Sequence, residues 1–445
     1  MTRLRIPSLL LLSALIAAPA TMTVPVVWQT AAAADDQRDP NVRTKRTPSM
    51  RENVYKQITR VREAAEAERF GDALKILDSL LDSNLNSYEA AMSYNLMAYI
   101  QYSRDNYAGA IDAYNKVLAQ EALPESLEKN TLYSLGQIQI ASERYRDGVQ
   151  TLDRWFALED KPSASAYILL GQALFQLKEY DRALQPIETA VGMTRAEGGK
   201  VRENWLLLLR AIHYTKEDYG ALRDVLKQLV AQFPSREYWT QLSAVYGELG
   251  DSKKQLSAMQ SAYEQGLLRT SNDYRTLGQL LLANDVPYKA AAVLAEGFDK
   301  GVIEPDVTSL RMLADAWMLA KEYDKAEDAL NRAAQRADDG ELYLRLAQIH
   351  AEQAEWTEAL AAARRAVERG NLKRPDQARM TEGLALYNMD RLEEAKAAFS
   401  RASRYEQSEA AARQWTSYIS REQERLAALD RAREAAERAA SQSSG

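Results

Sequence analysis

Residues 170–184 read LGQALFQLKEYDRAL, and two small residues in this stretch, Gly171 and Ala183, stand twelve positions apart. Tyr180 lies shortly before the second of them. The same arrangement recurs in more or less complete form, with the second small position at Ala73, Ala110, Gly148, Ala183, Leu222, Gln255, Ala290, Ala326, Ala359 and Ala395. The intervals are 33 to 39 residues, so the sequence predicts ten repeated units.

The sequence of each repeated unit favours two closely packed helices. Gly and Pro are scarce, at 19 and 12 of 445 residues, and residues that favour helix predominate. Small residues such as Gly171 and Ala183 allow two helices to approach closely. Aromatic residues such as Tyr180 and Trp356 can fill the space between neighbouring units. The pattern therefore predicts an all-α fold.

This periodicity resembles the tetratricopeptide repeat, a helix–turn–helix unit of about 34 residues. A single hairpin of this kind cannot bury its apolar face, so neighbouring units stack on one another. The resemblance implies a right-handed superhelical solenoid of about ten units, in which the first helix of each unit lines a concave surface.

The concave surface supplies the candidate partner-binding residues. Positions six and three before Gly171 or its equivalent, and one and four after it, should point inward. These positions give Asn95, Tyr99, Tyr102, Asn130, Tyr133, Gln137, Gln172, Asn204, Tyr214, Asn272, Arg275, Gln279, Arg311, Asp315 and Gln348. Amide side chains can donate to and accept from a peptide backbone, and Tyr supplies contact area at low entropic cost. The set suits an extended peptide or a partner helix; contacts between repeats are the alternative for individual members.

The first 34 residues are typical of an export signal. Arg3 and Arg5 precede an apolar run at residues 9–18, and small residues offer cleavage sites after Ala20 and Ala34. Cleavage after Ala34 is preferred because a charged run begins there. An uncleaved inner-membrane anchor is the alternative, since the apolar segment is almost long enough to span a bilayer. Both interpretations place the rest of the protein in the periplasm.

The remaining chain divides into three predicted segments. Residues 35–49 are charged and lack apolar periodicity, which indicates a linker. Residues 50–420 form the predicted solenoid. Residues 421–445 are predicted to form a charged terminal helix that ends in a disordered tail.

Composition and motifs argue against several functional classes. The chain has no Cys, which excludes a disulfide framework, a thiolate metal site, a cysteine nucleophile and a lipid anchor on an N-terminal cysteine. Its net charge is −6 with both signs mixed throughout, which does not favour nucleic-acid binding. No familiar hydrolase, metalloprotease or phosphate-binding motif is present. His350 is expected to be a packing residue, and His213 lacks a paired ligand. We therefore predict no catalytic, cofactor or metal site.

Several stretches are more specific than the generic repeat requires. They include residues 86–89 (NSYE), 154–158 (RWFAL), 166–173 (AYILLGQA), 203–205 (ENW), 238–243 (YWTQLS), 246–250 (YGELG), 286–291 (VPYKAA), 338–348 (DDGELYLRLAQ) and 372–375 (LKRP). In these stretches the chain is similar to exported bacterial tetratricopeptide-repeat proteins described as components of TonB energy-transduction systems. That resemblance implies a periplasmic accessory to TonB, ExbB and ExbD that serves outer-membrane uptake. It supplies no site residues.

Three functional hypotheses follow. The first is a non-enzymatic scaffold that holds a segment of TonB or of a companion protein. The second is an assembly factor for another envelope machine, such as one for secretion, pilus formation or polysaccharide export. The third is an enzyme, for which the tiling of repeats leaves no room for a separate catalytic domain.

Overall fold

The computed structural model describes residues 49–121 and 123–443, with side chains described as far as residue 436. The predicted export signal and residues 35–48 of the predicted linker lie outside the described residues. Within the described ranges the regular secondary structure consists of 21 helices, with no strand. The all-α prediction is therefore confirmed.

The helices divide between two compact units, which meet in sequence at Pro234 and Ser235. The first unit holds five hairpins: α1 (Glu52–Glu66) and α2 (Phe70–Leu81), α3 (Ser87–Ser103) and α4 (Tyr107–Leu118), α5 (Glu125–Ala141) and α6 (Tyr145–Phe156), α7 (Ala164–Gln176) and α8 (Tyr180–Ala196), and α9 (Glu203–Thr215) and α10 (Tyr219–Gln232).

The second unit holds five further hairpins and a final helix. They are α11 (Arg236–Glu248) and α12 (Ser252–Glu264), α13 (Ser271–Ala283) and α14 (Pro287–Asp299), α15 (Val307–Leu319) and α16 (Tyr323–Ala334), α17 (Glu341–Glu352) and α18 (Trp356–Arg369), α19 (Pro375–Asn388) and α20 (Leu392–Ala402), and α21 (Glu409–Ser443). The ten predicted helix pairs are all present.

Every hairpin turns through one residue with a left-handed backbone. These residues are Glu68, Asp105, Glu143, Lys178, Glu217, Gly250, Asp285, Lys321, Ala354 and Asp390, with φ between 55° and 75°. Each lies five positions before the second small position of its repeat. The turn geometry therefore repeats in the register that the sequence predicts.

The small positions are buried where the two helices of a hairpin meet. Ala183, Ala290 and Ala326, for example, have no exposed surface. The pairs α9–α10 and α11–α12 are exceptions, because Leu222 and Gln255 occupy the second small position. In α11–α12 the hydroxyl of Ser243 donates a 2.9 Å hydrogen bond to the carbonyl oxygen of Gln255, so a polar contact joins these two helices.

The final helix, α21, packs on α20 through Ala412 and Ile419, which have no exposed surface. The predicted division at residue 420 falls inside this helix, which starts at Glu409. It extends to Ser443, although a disordered tail is predicted there from the sequence. Residues 421–440, which are rich in Ala, Glu and Arg, favour helix and carry it that far.

Among the described helices, none has both the length and the apolar character needed to cross a membrane.

Candidate protein-binding face of the first helices

All fifteen predicted residues lie on first helices, and none of their side chains is fully buried. The exposed members are Asn130, Asn204, Asn272, Gln279 and Arg311. The half-buried members are Asn95, Tyr99, Tyr102, Tyr133, Gln137, Gln172, Tyr214, Arg275, Asp315 and Gln348. The predicted residues are therefore accessible to a partner in each of the two compact units.

Three of the tyrosines also hold the first unit together. The Tyr133 ring lies 4.9 Å from Trp155, and the Tyr102 ring lies 5.9 Å from Tyr107. Tyr99 packs against the core formed by α1, α2 and α3. These contacts anchor the three tyrosines, which therefore offer only part of their surface to a partner. Burial also raises the pKa values of Tyr102 and Tyr133.

A polar cleft in the second unit brings two of the predicted residues, Arg311 and Gln348, together. It has a volume of about 380 Å³ and lies between α15, α17 and the start of α19. Its lining consists of Val307, Arg311, Ala337, Asp339, Glu341, Leu342, Leu344, Arg345, Gln348, Lys373 and Gln377. The other thirteen predicted residues do not line it.

The acidic groups of the polar cleft are largely satisfied by the protein. Glu341 accepts a hydrogen bond from the backbone N–H of Lys373, and Asp339 accepts one of 3.1 Å from the backbone N–H of Glu341. Beside the cleft, Asp315 forms a 2.6 Å ion pair with Arg345. Each of these three carboxylates therefore already forms an ion pair or a hydrogen bond within the protein.

The cationic and amide groups of the polar cleft form fewer ion pairs and hydrogen bonds within the protein. Arg311 and the Lys373 ammonium group form no ion pair with any residue in the part of the chain that the structure describes. Gln348 donates a 3.3 Å hydrogen bond to Gln377, which leaves its own carbonyl oxygen and part of the Gln377 amide available. The cleft thus offers two free cations and two amides to a ligand.

The sequence comparison agrees with this architecture. A family model described as tetratricopeptide repeat matches residues 58–126, 133–198 and 275–341. These three ranges are tetratricopeptide repeats, and the hairpins outside them have the same helix–turn–helix arrangement. No curated protein sequence matches it significantly.

Several solved structures are similar to this chain. A repeat protein from Parabacteroides merdae ATCC 43184 is 14% identical, with 60% of this chain and 100% of that chain covered and a TM-score of 0.34. MamA from Desulfovibrio magneticus RS-1 is 18% identical, with 39% and 94% covered and a TM-score of 0.31. The TPR2AB domain of yeast Sti1, solved in complex with pHSP90, is 14% identical, with 62% and 98% covered and a TM-score of 0.30.

Five charged or amide residues of the polar cleft were not predicted from the sequence: Asp339, Glu341, Arg345, Lys373 and Gln377. Glu341 and Gln377 lie six positions before the small residue of their repeats, as Asn130, Asn204 and Asn272 do, so the same rule could have found them. Lys373 lies in the loop between two repeats, and Arg345 lies outside the four inward positions. A rule confined to those four positions cannot identify either residue.

Proposed function

We propose that this protein is a non-enzymatic interaction scaffold whose first helices bind an extended segment of a partner protein. The observation that carries the proposal is the polar cleft, where Arg311 and Lys373 present unpaired charges beside the amides of Gln348 and Gln377. Stacked repeats commonly present such extended binding surfaces.

The chemistry of the polar cleft favours a segment that carries acidic side chains. Carboxylates would pair with Arg311 and Lys373, and the two amides could bond to the backbone of an extended segment. The Asp315 carboxylate is paired with Arg345, which offsets its charge. The carboxylates of Asp339 and Glu341 keep their charge, but each accepts a backbone N–H hydrogen bond that holds it in place.

The scaffold is further proposed to work in the periplasm as an accessory to the TonB, ExbB and ExbD complex. The support for this step is the export-like signal of residues 1–34 and the similarity of stretches such as residues 154–158 and 238–243 to the TonB-associated repeat family. The partner would then be TonB, ExbB, ExbD or a protein that works with them.

The test is affinity purification of the full chain from its native cell, followed by identification of the bound proteins. We expect a TonB-system protein to be recovered with the wild type and to be lost at least tenfold from the Arg311→Ala/Lys373→Ala double variant. Lys253→Ala/Arg365→Ala provides a matched control, because it removes two exposed cations from second helices of the same unit.

Two results would count against the proposal. Recovery of a secretion, pilus or polysaccharide-export protein instead would retain the scaffold and replace its partner system. Equal recovery with both double variants, together with unchanged TonB-dependent growth on scarce iron after deletion of the gene, would refute both the site and the partner.

A further inference from the structure

His350 lies between two carboxylates that come from different helices. It is on α17, with only 5% of its surface exposed. Its Nδ1 atom lies 2.7 Å from an oxygen of Glu355, the residue that precedes α18. Its Nε2 atom lies 3.8 Å from an oxygen of Glu327 on α16. One ligand atom from each of the three residues lies within 4.8 Å of the others.

The two carboxylates interact differently with the imidazole ring of His350. At 2.7 Å, Nδ1–H donates a hydrogen bond to Glu355, which leaves Nε2 of a neutral imidazole with a lone pair. That lone pair faces an oxygen of Glu327 at 3.8 Å, which is too far for a hydrogen bond. Two electron-pair donors therefore face each other across a gap.

A metal ion can bridge this gap, whereas a single proton cannot form a hydrogen bond across it. Zinc lies about 2.0–2.2 Å from imidazole nitrogen and carboxylate oxygen and is tetrahedral, so two of its ligand atoms lie about 3.3–3.6 Å apart. The observed separation of 3.8 Å needs to close by only a few tenths of an ångström to hold one ion. A histidine ligand generally donates its other ring N–H to a carboxylate, which fixes its orientation and raises its basicity. Glu355 occupies that supporting position.

We propose that His350 Nε2 and Glu327 bind one divalent transition-metal ion of the Zn²⁺ class, with water in the remaining positions and Glu355 orienting the ring. Imidazole and carboxylate suit zinc and its neighbours. Because α16 ends the eighth repeat and α17–α18 form the ninth, a bound ion links two adjacent repeats.

His213 supplies an internal comparison. It occupies the equivalent position of its own hairpin, four residues before the left-handed turn residue, and is 6% exposed. Its Nδ1 lies 3.7 Å from Asp218. Unlike His350, it is not part of a group of three metal-binding side chains among the described residues. The chain has two His and no Cys, so a histidine-dependent signal can be assigned between these two positions.

The test is calorimetric titration of the full chain with Zn²⁺ alone, paired with the visible absorption of Co²⁺ as a probe of nitrogen ligation. We expect one equivalent to bind the wild type and His213→Gln. We expect His350→Gln to lose that site, and Glu327→Gln and Glu355→Gln each to bind at least tenfold more weakly. Bound Zn²⁺ should also raise the thermal midpoint of the wild type.

Circular dichroism of each variant separates lost binding from lost folding, and Glu355→Gln retains a hydrogen-bond acceptor for the ring if His350→Gln does not fold. The proposal is overturned if the wild type binds no stoichiometric Zn²⁺, or if Glu327→Gln and Glu355→Gln bind as tightly as the wild type. Equal loss of the site in His213→Gln would also overturn it.

Discussion

Gly171 on α7 lies directly against the side chain of Ile187 on α8, so closely that a Cβ atom at position 171 would overlap it. The same spacing of sixteen residues places Leu152 against Gly136, Leu294 against Gly278 and Phe399 against Gly383. Small residues on first helices therefore make room for large side chains of the following second helices.

Gly171→Leu should destabilise the protein by roughly 3 kcal/mol, because a branched side chain must displace Ile187 or force α7 and α8 apart. Urea-induced unfolding followed by circular dichroism measures the effect. Gly192→Ala in α8 is the control, since nothing lies within 4 Å of a Cβ atom there. That change should be neutral or stabilise by up to about 1 kcal/mol through helix propensity. Equal effects of the two changes would contradict the packing described.

The hairpins could be predicted from sequence because close helix packing requires small residues at fixed spacing. The spacing predicts that Gly171 faces Ala183 across the hairpin. The carbonyl oxygen of Ala183 is indeed near, at 3.5 Å from a Cβ atom placed on Gly171, but Ile187 is nearer. The choice between these neighbours depends on side-chain direction one turn along the helix, which spacing alone does not specify.

The polar cleft could be predicted only in part. Arg311 and Gln348 follow from their helical positions, whereas Lys373 reaches the cleft from a loop. The ion pair between Arg345 and Asp315 joins residues thirty positions apart on different repeats. Which charges are neutralised and which remain free depends on such pairings between repeats, and the sequence pattern does not specify them.

The left-handed turn residues give a second prediction. Ala354 has a φ of 61°, a conformation that costs an alanine about 1–2 kcal/mol. Ala354→Gly should therefore stabilise the protein by about 0.5–1 kcal/mol, even after the greater flexibility of glycine in the unfolded chain is included. Gly250, with a φ of 75°, supplies the reverse change. Gly250→Ala should destabilise by about 1 kcal/mol, and the same sign for both substitutions in thermal unfolding would refute the turn geometry.

The buried carboxylate of Glu89 gives a prediction about pH. Glu89 has no exposed surface and accepts hydrogen bonds from Arg51 Nη2 at 2.6 Å, Arg51 Nε at 2.9 Å and the backbone N–H of Asn86 at 3.0 Å. The Arg51 side chain, above all, lowers the pKa of Glu89 from 4.5 to about 2. Its contribution to the free energy of unfolding is therefore complete above the ordinary pKa and is lost as pH falls towards 2.

Arg51→Ala should consequently lower the free energy of unfolding at pH 7, because the buried Glu89 carboxylate loses its charged hydrogen-bond donor. The difference from wild type should shrink between about pH 4.5 and pH 2, the window over which Glu89 protonates. Lys56→Ala, which removes an exposed pair with Glu52, should change stability by less than about 0.5 kcal/mol. Unfolding of all three proteins by urea at several pH values measures this, and a pH-independent cost for Arg51→Ala would be inconsistent with the expected role of Glu89.

Asn204 tests the first-helix face away from the polar cleft. Its side chain is exposed on α9, so Asn204→Ala should weaken binding of the captured partner severalfold while leaving the unfolding midpoint unchanged. Surface substitutions away from special features seldom change stability by more than about 0.5 kcal/mol. Unchanged affinity for the purified partner would remove Asn204 from the binding face.

Crosslinking in intact native cells tests the binding face most directly. A photoreactive amino acid would replace Gln348 in one protein and Asn204 in another, with Asp112, exposed on the second helix α4, as the control position. We predict that Gln348 and Asn204 capture the same envelope protein and that Asp112 does not. Capture from Asp112 as efficient as from the two first-helix positions, or no capture from either of those positions, would contradict binding by the first helices.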